Sequence, residues 1–230
     1  MATTSIVWGT TWVSSKIGVS LMPVFELTSL RQGIAGICYL SLFILIKKLP
    51  LPTAREFIML TVLALLMFVV NNGISTWSLK YIPAGLSSLI GALYPLSVVM
   101  IEIIFYKKRN VSVLTFIGLL LGIGGTFIVF YENAFHNRGP GFFLGVGLSV
   151  IAMLSWSVGT MVLAKNKINM NPYYAVGWQM VIGAAIMMGI AVGTGTAIPL
   201  SEIPAKAWYA IGYLVIAGSL ITYAAFIYSM

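Results

Sequence analysis

Long apolar segments follow one another along nearly the whole chain, with only short polar stretches between them. A membrane-spanning helix needs ~20 apolar residues, and eight segments of about this length cover residues 5–22, 25–46, 57–77, 84–106, 111–131, 141–164, 173–193 and 208–229. Only 8% of the residues are charged, whereas about 25% are charged in a typical soluble protein. No segment alternates apolar and polar residues as the strands of a membrane barrel do. The sequence therefore predicts an all-α membrane protein, a polytopic bundle of about eight transmembrane helices in a lipid bilayer.

The basic residues between the segments predict how the chain is oriented. Cytoplasmic loops of membrane proteins carry an excess of Lys and Arg, and alternate loops here carry eight basic residues on one side and three on the other. The richer side holds Lys47, Lys48, Arg55, Lys107, Lys108, Arg109, Lys165 and Lys167, and the poorer side holds Lys80, Arg138 and Lys206. We therefore expect a multi-pass protein of the cell membrane with both termini in the cytoplasm. The net charge of +8 reflects this orientation, and no nucleic-acid partner is expected.

Two stretches of the sequence share a pattern of tryptophan and proline spacing, which indicates an internal repeat. Trp8 lies 15 residues before Pro23, and Trp156 lies 16 residues before Pro172. A weak similarity also relates the stretches NNGISTWSL and TYAAFIYSM, which are about 150 residues apart. The sixth helix therefore matches the first.

This repeat divides the chain into two units. The first covers residues 1–131 and contains five predicted helices, and the second covers residues 141–230 and contains three. Because five is an odd number, the second unit begins in the opposite orientation. We therefore expect an inverted five-helix repeat whose second copy is incomplete and lacks two helices.

Several motifs resemble the drug/metabolite transporter superfamily, and within it the EamA-like transporters. They are WGTTWVSSK followed by Pro23, LRQGIAG containing Arg31, WSLKYIPAGLSSLIGALYPL from Trp77 to Leu96, the Gly-rich IGLLLGIGGTFIVFYE, and the final YLVIAGSLITYAAFIYSM. The resemblance implies ten helices in two inverted five-helix repeats, a central substrate cavity and export of small organic solutes. This chain departs from the family where a Gly-Glu pair commonly follows the fourth helix, because it has Lys107, Lys108 and Arg109 there.

Two cations lie within the predicted spans, where charged side chains are rare and costly. Lys16 and Arg31 are about seven residues to either side of the turn at Met22 to Val24, so we expect them at similar depth on neighbouring helices. Together they would favour an anionic group such as a substrate carboxylate. The alternatives are that both side chains extend to the outer interface or pair with Glu26.

Polar and aromatic side chains recur within the predicted spans, and a binding cavity needs apolar walls with a few directed polar groups. Asn72 and Gln179 are the most informative, because a side-chain amide facing lipid would have no hydrogen-bond partner. The alternatives are hydrogen bonds between helices for the amides and positions at the membrane interface for the tryptophans. Together with Lys16 and Arg31, the candidate substrate-binding residues are Trp8, Trp12, Asn72, Tyr94, Trp156, Gln179 and Tyr223.

The residue inventory favours transport over catalysis. The chain has no Asp, one His (His136, in a predicted outer loop) and one Cys (Cys38), so a His-based dyad, an aspartyl pair or a metal site cannot be assembled within the membrane. We therefore expect a transporter and not an enzyme, which moves a small-molecule substrate by alternating access without a cofactor or metal. The alternative is a non-transporting membrane scaffold or a non-functional fragment of such a transporter. The sequence leaves the oligomeric state open.

Overall fold

The structure of the protein is a computed structural model, which describes residues 2–106, 113–136, 139–166 and 170–228. Within these ranges the chain forms eight long helices and no strand, which confirms the predicted all-helical fold. The helices are α1 (Ala2–Val19), α2 (Val24–Ser41, continued by a π-helix over Leu42–Ile46), α3 (Ala54–Ala64, a π-helix over Leu65–Ile74, then Ser75–Ser78), α4 (Ala84–Ala92 and Tyr94–Tyr106), α5 (Val113–His136), α6 (Phe142–Lys165), α7 (Pro172–Gly193) and α8 (Ala205–Tyr213, a π-helix over Leu214–Ile221, then Thr222–Tyr228). A short 3-10 turn over Leu200–Glu202 precedes α8.

Most of these helices have the length and composition of membrane spans. Among the described residues, six stretches are long and apolar enough to cross a bilayer: Val24–Ile46, Ala54–Ser78, Ala84–Ile104, Phe142–Lys165, Pro172–Gly193 and Ala205–Ala225. They belong to α2, α3, α4, α6, α7 and α8. The other two of the eight predicted segments are α1, with 18 residues, and α5, with 24 residues.

Side-chain caps fix where two of these helices begin. Before α3, Glu56 Oε2 accepts from the Thr53 backbone N–H at 2.8 Å, and the Thr53 hydroxyl accepts from the Glu56 backbone N–H at 3.4 Å, which together form a capping box. Before α7, Asn171 Oδ1 accepts from the Tyr173 backbone N–H at 3.0 Å. Pro172 takes the first helical position, where a helix needs no N–H donor. These local signals place both starts close to the predicted segments.

The fourth helix is interrupted near its middle. Leu93 has φ −75° and ψ 1°, outside the helical range, and separates Ala84–Ala92 from Tyr94–Tyr106. Pro95 follows, and proline has no N–H donor and its ring clashes with the carbonyl four residues earlier. The break therefore has a local cause in the sequence, and it lies beside the cavity described below.

The most extensive contact between helices joins α2 and α7, and glycines set its spacing. A Cβ added at Gly36 of α2 would lie 2.9 Å from the backbone nitrogen of Val181 in α7. A Cβ added at Gly177 of α7 would lie 2.9 Å from the Cβ of Tyr39 in α2. Small residues let helix backbones approach closely in lipid, so these two glycines allow α2 and α7 to pack backbone against backbone.

Loops that the charge pattern assigns to one side of the membrane lie at the same end of the bundle. The Tyr174 hydroxyl, at the start of α7, donates to the Pro50 carbonyl, before α3, at 3.2 Å, which joins two loops predicted to be cytoplasmic. At the opposite end, the Glu26 carboxylate, at the start of α2, accepts from the Ile198 backbone N–H at 3.1 Å. Five residues of the predicted charge pattern lie outside the described residues: Lys107, Lys108, Arg109, Arg138 and Lys167.

Replacing Gly36 with Ala is expected to destabilise the fold, because the new methyl group would overlap Val181. Overpacking of this kind costs about 1–3 kcal/mol, which we expect as a lower midpoint of thermal unfolding in detergent. Gly189→Ala in α7 is the matched control, since nothing lies within 4 Å of a Cβ added there and Ala favours a helix over Gly. An unchanged midpoint for Gly36→Ala would contradict the close approach of α2 and α7.

Candidate functional site

A cavity of about 550 Å³ lies between the helices. Small-molecule sites typically have volumes of ~300–1,000 Å³, so the cavity is large enough for a small organic ligand. Residues of α1, α2, α3, α4, α6 and α8 line it, and its walls combine aromatic rings with hydroxyl and amide groups. Arg31 is the only charged side chain among the described residues of the lining.

Arg31, on α2, is buried at the wall of this cavity with 7% of its surface exposed. Its Nε donates to the Ser219 hydroxyl of α8 at 3.2 Å, and its Nη2 donates to the Gly218 carbonyl at 3.3 Å. Gly218 makes room for the guanidinium, because an added Cβ would lie 3.1 Å from Nη2 and 2.8 Å from Thr11 Cγ2. Both hydrogen bonds go to neutral acceptors, so they compensate the positive charge only in part.

Tyr223 of α8 joins the polar and the aromatic parts of the cavity. It lines the cavity together with Asn72 of α3 and Arg31 of α2. The Trp156 ring of α6 meets the Tyr223 ring edge to face, with the centroids 6.5 Å apart. Side chains from α2, α3, α6 and α8 therefore converge on one region of the cavity.

Three of the helices that line the cavity, α2, α3 and α8, contain π-helical stretches, and two of them also carry a side-chain hydrogen bond that spans five residues. In α3, Asn72 Nδ2 donates to the Met67 carbonyl, five residues earlier, at 2.9 Å. In α8, Thr222 Oγ1 donates to the Ala217 carbonyl, also five residues earlier, at 2.5 Å. π-Helical turns are rare and frequently occur at functional sites. A side-chain hydrogen bond to the carbonyl five residues earlier is thus present in both α3 and α8.

Six of the nine predicted site residues line the cavity together: Trp12, Arg31, Asn72, Tyr94, Trp156 and Tyr223. Tyr94 follows the break in α4, and its hydroxyl donates to Thr160 Oγ1 of α6 at 3.3 Å. The side chain of Trp8 lies outside the described residues. Gln179 is buried in α7, and no described residue of α7 contributes to the lining. The role of each lining residue in substrate binding stays a prediction.

Lys16 is not among the described residues that line the cavity with Arg31, and a shared anion site of the two cations stays a prediction. Its ammonium group donates to the Leu79 carbonyl and, at 3.2 Å, to the Ile82 carbonyl. The last carbonyls of a helix have no partner within the helix and carry partial negative charge, so the end of α3 attracts the cation. The carboxylate of Glu26, the alternative partner of the two cations, accepts from the Ile198 backbone N–H between α7 and α8.

A cluster of three serine hydroxyls was not singled out in the sequence. Ser78 of α3, Ser87 of α4 and Ser149 of α6 form a triangle, with oxygen–oxygen distances of 3.1 Å for Ser78–Ser87 and 2.8 Å for the other two pairs. All three are buried, and Ser87 and Ser149 line the cavity. Helical spacing could have indicated Ser149 as a lining residue, because it lies seven positions before Trp156 and therefore on the same face of α6.

The described helices enclose a polar and aromatic cavity, while many large apolar side chains are exposed on the outside of the bundle. This is the architecture of a polytopic helical membrane protein with an internal cavity. The sequence model of the EamA-like transporter family matches residues 1–131 and 143–230. The chain therefore belongs to the EamA-like transporter family, and the resemblance indicated by its motifs is confirmed.

Relatives of the chain carry the names of transporters. It is 26% identical over 225 residues to the uncharacterized inner membrane transporter YedA of Escherichia coli strain K12. The aligned region covers 97% of this chain and 70% of YedA. It is 28% identical over 235 residues to the uncharacterized transporter sll0355 of Synechocystis, covering 96% of this chain and 70% of the relative. Identity to the chloroplastic WAT1-related protein At3g02690 of Arabidopsis thaliana is 26% over 229 residues, covering 96% of this chain and 54% of that protein.

A charged, water-soluble thiol reagent is expected to modify Ser75→Cys, because Ser75 lines the cavity. Leu65→Cys, on the same helix, should stay unmodified although Leu65 is exposed, because lipid covers the apolar outside of the bundle and excludes the reagent. Both variants are made with Cys38→Ser, since Cys38 is exposed. The measurement is the mass of the purified protein after treatment of membranes. Equal protection of both positions would contradict a cavity open to water.

Proposed function

We propose that this protein carries small organic solutes across a membrane by alternating access, in the direction of export. The observation that carries this proposal is the cavity, because both predicted units line it: residues 1–131 contribute α1 to α4, and residues 141–230 contribute α6 and α8. A site between two repeats is exposed to each side in turn when the repeats rock against each other. The lining groups suit reversible binding, so transport needs no covalent step and we propose no enzymatic activity.

The inverted repeat, with units 1–131 and 141–230, is part of this proposal. The family model matches two stretches with nearly these boundaries, 1–131 and 143–230. The π-helical stretches Leu65–Ile74 and Leu214–Ile221 lie in the third helix of each unit, which supports an equivalence of α3 and α8. The scaffold alternative leaves the cavity and its buried cation without a role.

We also propose that the protein resides in the cell membrane with both termini in the cytoplasm. The loop charges support this orientation, and the name of YedA, a relative at 26% identity, describes an inner membrane transporter. The contacts between loops are consistent with it, since the loop with Lys47 and Lys48 lies beside the start of α7 through the Tyr174 hydrogen bond to Pro50.

Purified protein in proteoliposomes is expected to show saturable flux of a solute from a panel of amino acids, nucleobases and organic anions. Trp156→Ala should lower this flux about tenfold, because losing an aromatic contact of ~1.4 kcal/mol corresponds to a factor of ten in affinity. Trp208→Ala is the matched control, since Trp208 is partly exposed and lies outside the described lining. Absence of saturable flux with folded protein would favour a non-transporting scaffold. An equal loss of flux in Trp156→Ala and Trp208→Ala would contradict the cavity as the binding site.

A membrane-impermeant thiol reagent applied to the outer face is expected to label Lys206→Cys and to spare Lys48→Cys. Both lysines are exposed and lie at opposite ends of the bundle, and Lys48 belongs to the predicted cytoplasmic side. The variants carry Cys38→Ser, and inverted membrane vesicles serve as the control in which the labelling should be exchanged. Labelling of Lys48→Cys from the outer face would overturn the proposed orientation.

A further inference from the structure

The charge of the cavity points to the class of its ligand. Among the described residues of the lining, Arg31 is charged and none is a carboxylate. A guanidinium stays protonated throughout the physiological pH range, so this wall of the cavity carries a permanent positive charge. Buried cations in membrane proteins are costly and normally pair with an anion or with backbone carbonyls.

The protein itself compensates this charge only in part. The acid nearest in sequence, Glu26, uses its carboxylate to accept from the Ile198 backbone N–H. The two hydrogen bonds of Arg31, to Ser219 and to Gly218, employ two N–H groups, whereas a guanidinium has five in a fixed fork. Since Arg31 lines the cavity, the remaining donors are available to a molecule bound there.

Polar and aromatic side chains line the cavity together with Arg31. Tyr223 and Asn72 lie in the same lining. The indole rings of Trp156 and Trp12 form apolar walls of the same cavity. A guanidinium fork matches the two oxygens of a carboxylate, and indole rings cover the apolar body of a small organic molecule.

We propose, building on the transport function proposed above, that the solute is a small organic monocarboxylate, whose carboxylate binds Arg31 and whose apolar body packs against Trp156 and Trp12. The ion pair supplies the compensation that Ser219 and Gly218 do not provide. A neutral amide of the same shape lacks the charge and one acceptor oxygen, so it binds more weakly.

The test measures binding by the intrinsic fluorescence of purified protein in detergent, since Trp12 and Trp156 are among the described residues that line the cavity. The ligands are acetate, benzoate, 3-phenylpropionate and 4-phenylbutyrate, each compared with its amide. We expect saturable changes with at least one of the aromatic carboxylates, at an affinity tenfold or more above that of its amide. Equal affinity of acid and amide, or saturation by none of the series, would overturn the proposal; this comparison needs no variant.

Variants then assign the preference to Arg31. Arg31→Gln should abolish the difference between acid and amide, and Arg31→Lys should keep part of it, because the charge remains while the fork is lost. Ser219→Ala is the matched control: it removes one partner of Arg31 but keeps the charge, so the preference should persist. If thermal unfolding shows that Arg31→Gln is not folded, the other two variants take its place. A preference that is reduced in Arg31→Lys and kept in Ser219→Ala supports the assignment to Arg31, and a preference that is lost in Ser219→Ala contradicts it. Undiminished preference in a folded Arg31→Gln would overturn the assignment.

Flux measurements separate this inference from the transport function. Saturable flux of a neutral solute that does not depend on Arg31 would leave transport standing and refute the monocarboxylate. Binding of 3-phenylpropionate to wild type without flux of any bound ligand would support the site and refute transport.

Discussion

Lipid offers no hydrogen-bond partners, and the whole structure follows from this constraint. Backbone N–H and C=O groups within a bilayer must be satisfied by the chain itself, so each long apolar segment forms a helix. Several polar side chains bond across helix contacts: the Ser29 hydroxyl donates to the Ala184 carbonyl, and the Asn71 amide to the Ala152 carbonyl, both at 2.8 Å. The cavity is where polar groups of the spans stay available to another molecule.

The π-helical stretches connect this constraint to the site. Leu214–Ile221 in α8 contains both Gly218 and Ser219, which hold the Arg31 guanidinium. In α3, the π-helical stretch Leu65–Ile74 contains Asn72, whose side-chain amide donates to the Met67 carbonyl within the same helix. In a π-helical turn each backbone hydrogen bond spans five residues, one more than in an α-helix. The polar groups that follow such a turn therefore point in a different direction than they would in a continuous α-helix.

The helices could be predicted closely because membrane thickness and apolar composition fix their length almost independently of tertiary contacts. Trp156 could be predicted as a lining residue, since a tryptophan in the middle of a span does not suit the interface. Lys16 and Gln179 could not be placed, because sequence indicates that a buried polar side chain needs a partner but not which neighbour supplies it. The carbonyls of Leu79 and Ile82, which bind Lys16, are backbone groups without any residue signature.

Alternating access between two repeats requires opposite movements at the two ends of the bundle. Spin labels on Lys48→Cys with Lys165→Cys report the distance between the units at one end, and labels on Lys80→Cys with Lys206→Cys report it at the other. We predict that a transported solute, added to proteoliposomes, shortens one distance and lengthens the other. Two distances that stay constant, or that change in the same direction while the solute is bound, would contradict a cavity that opens alternately to each side.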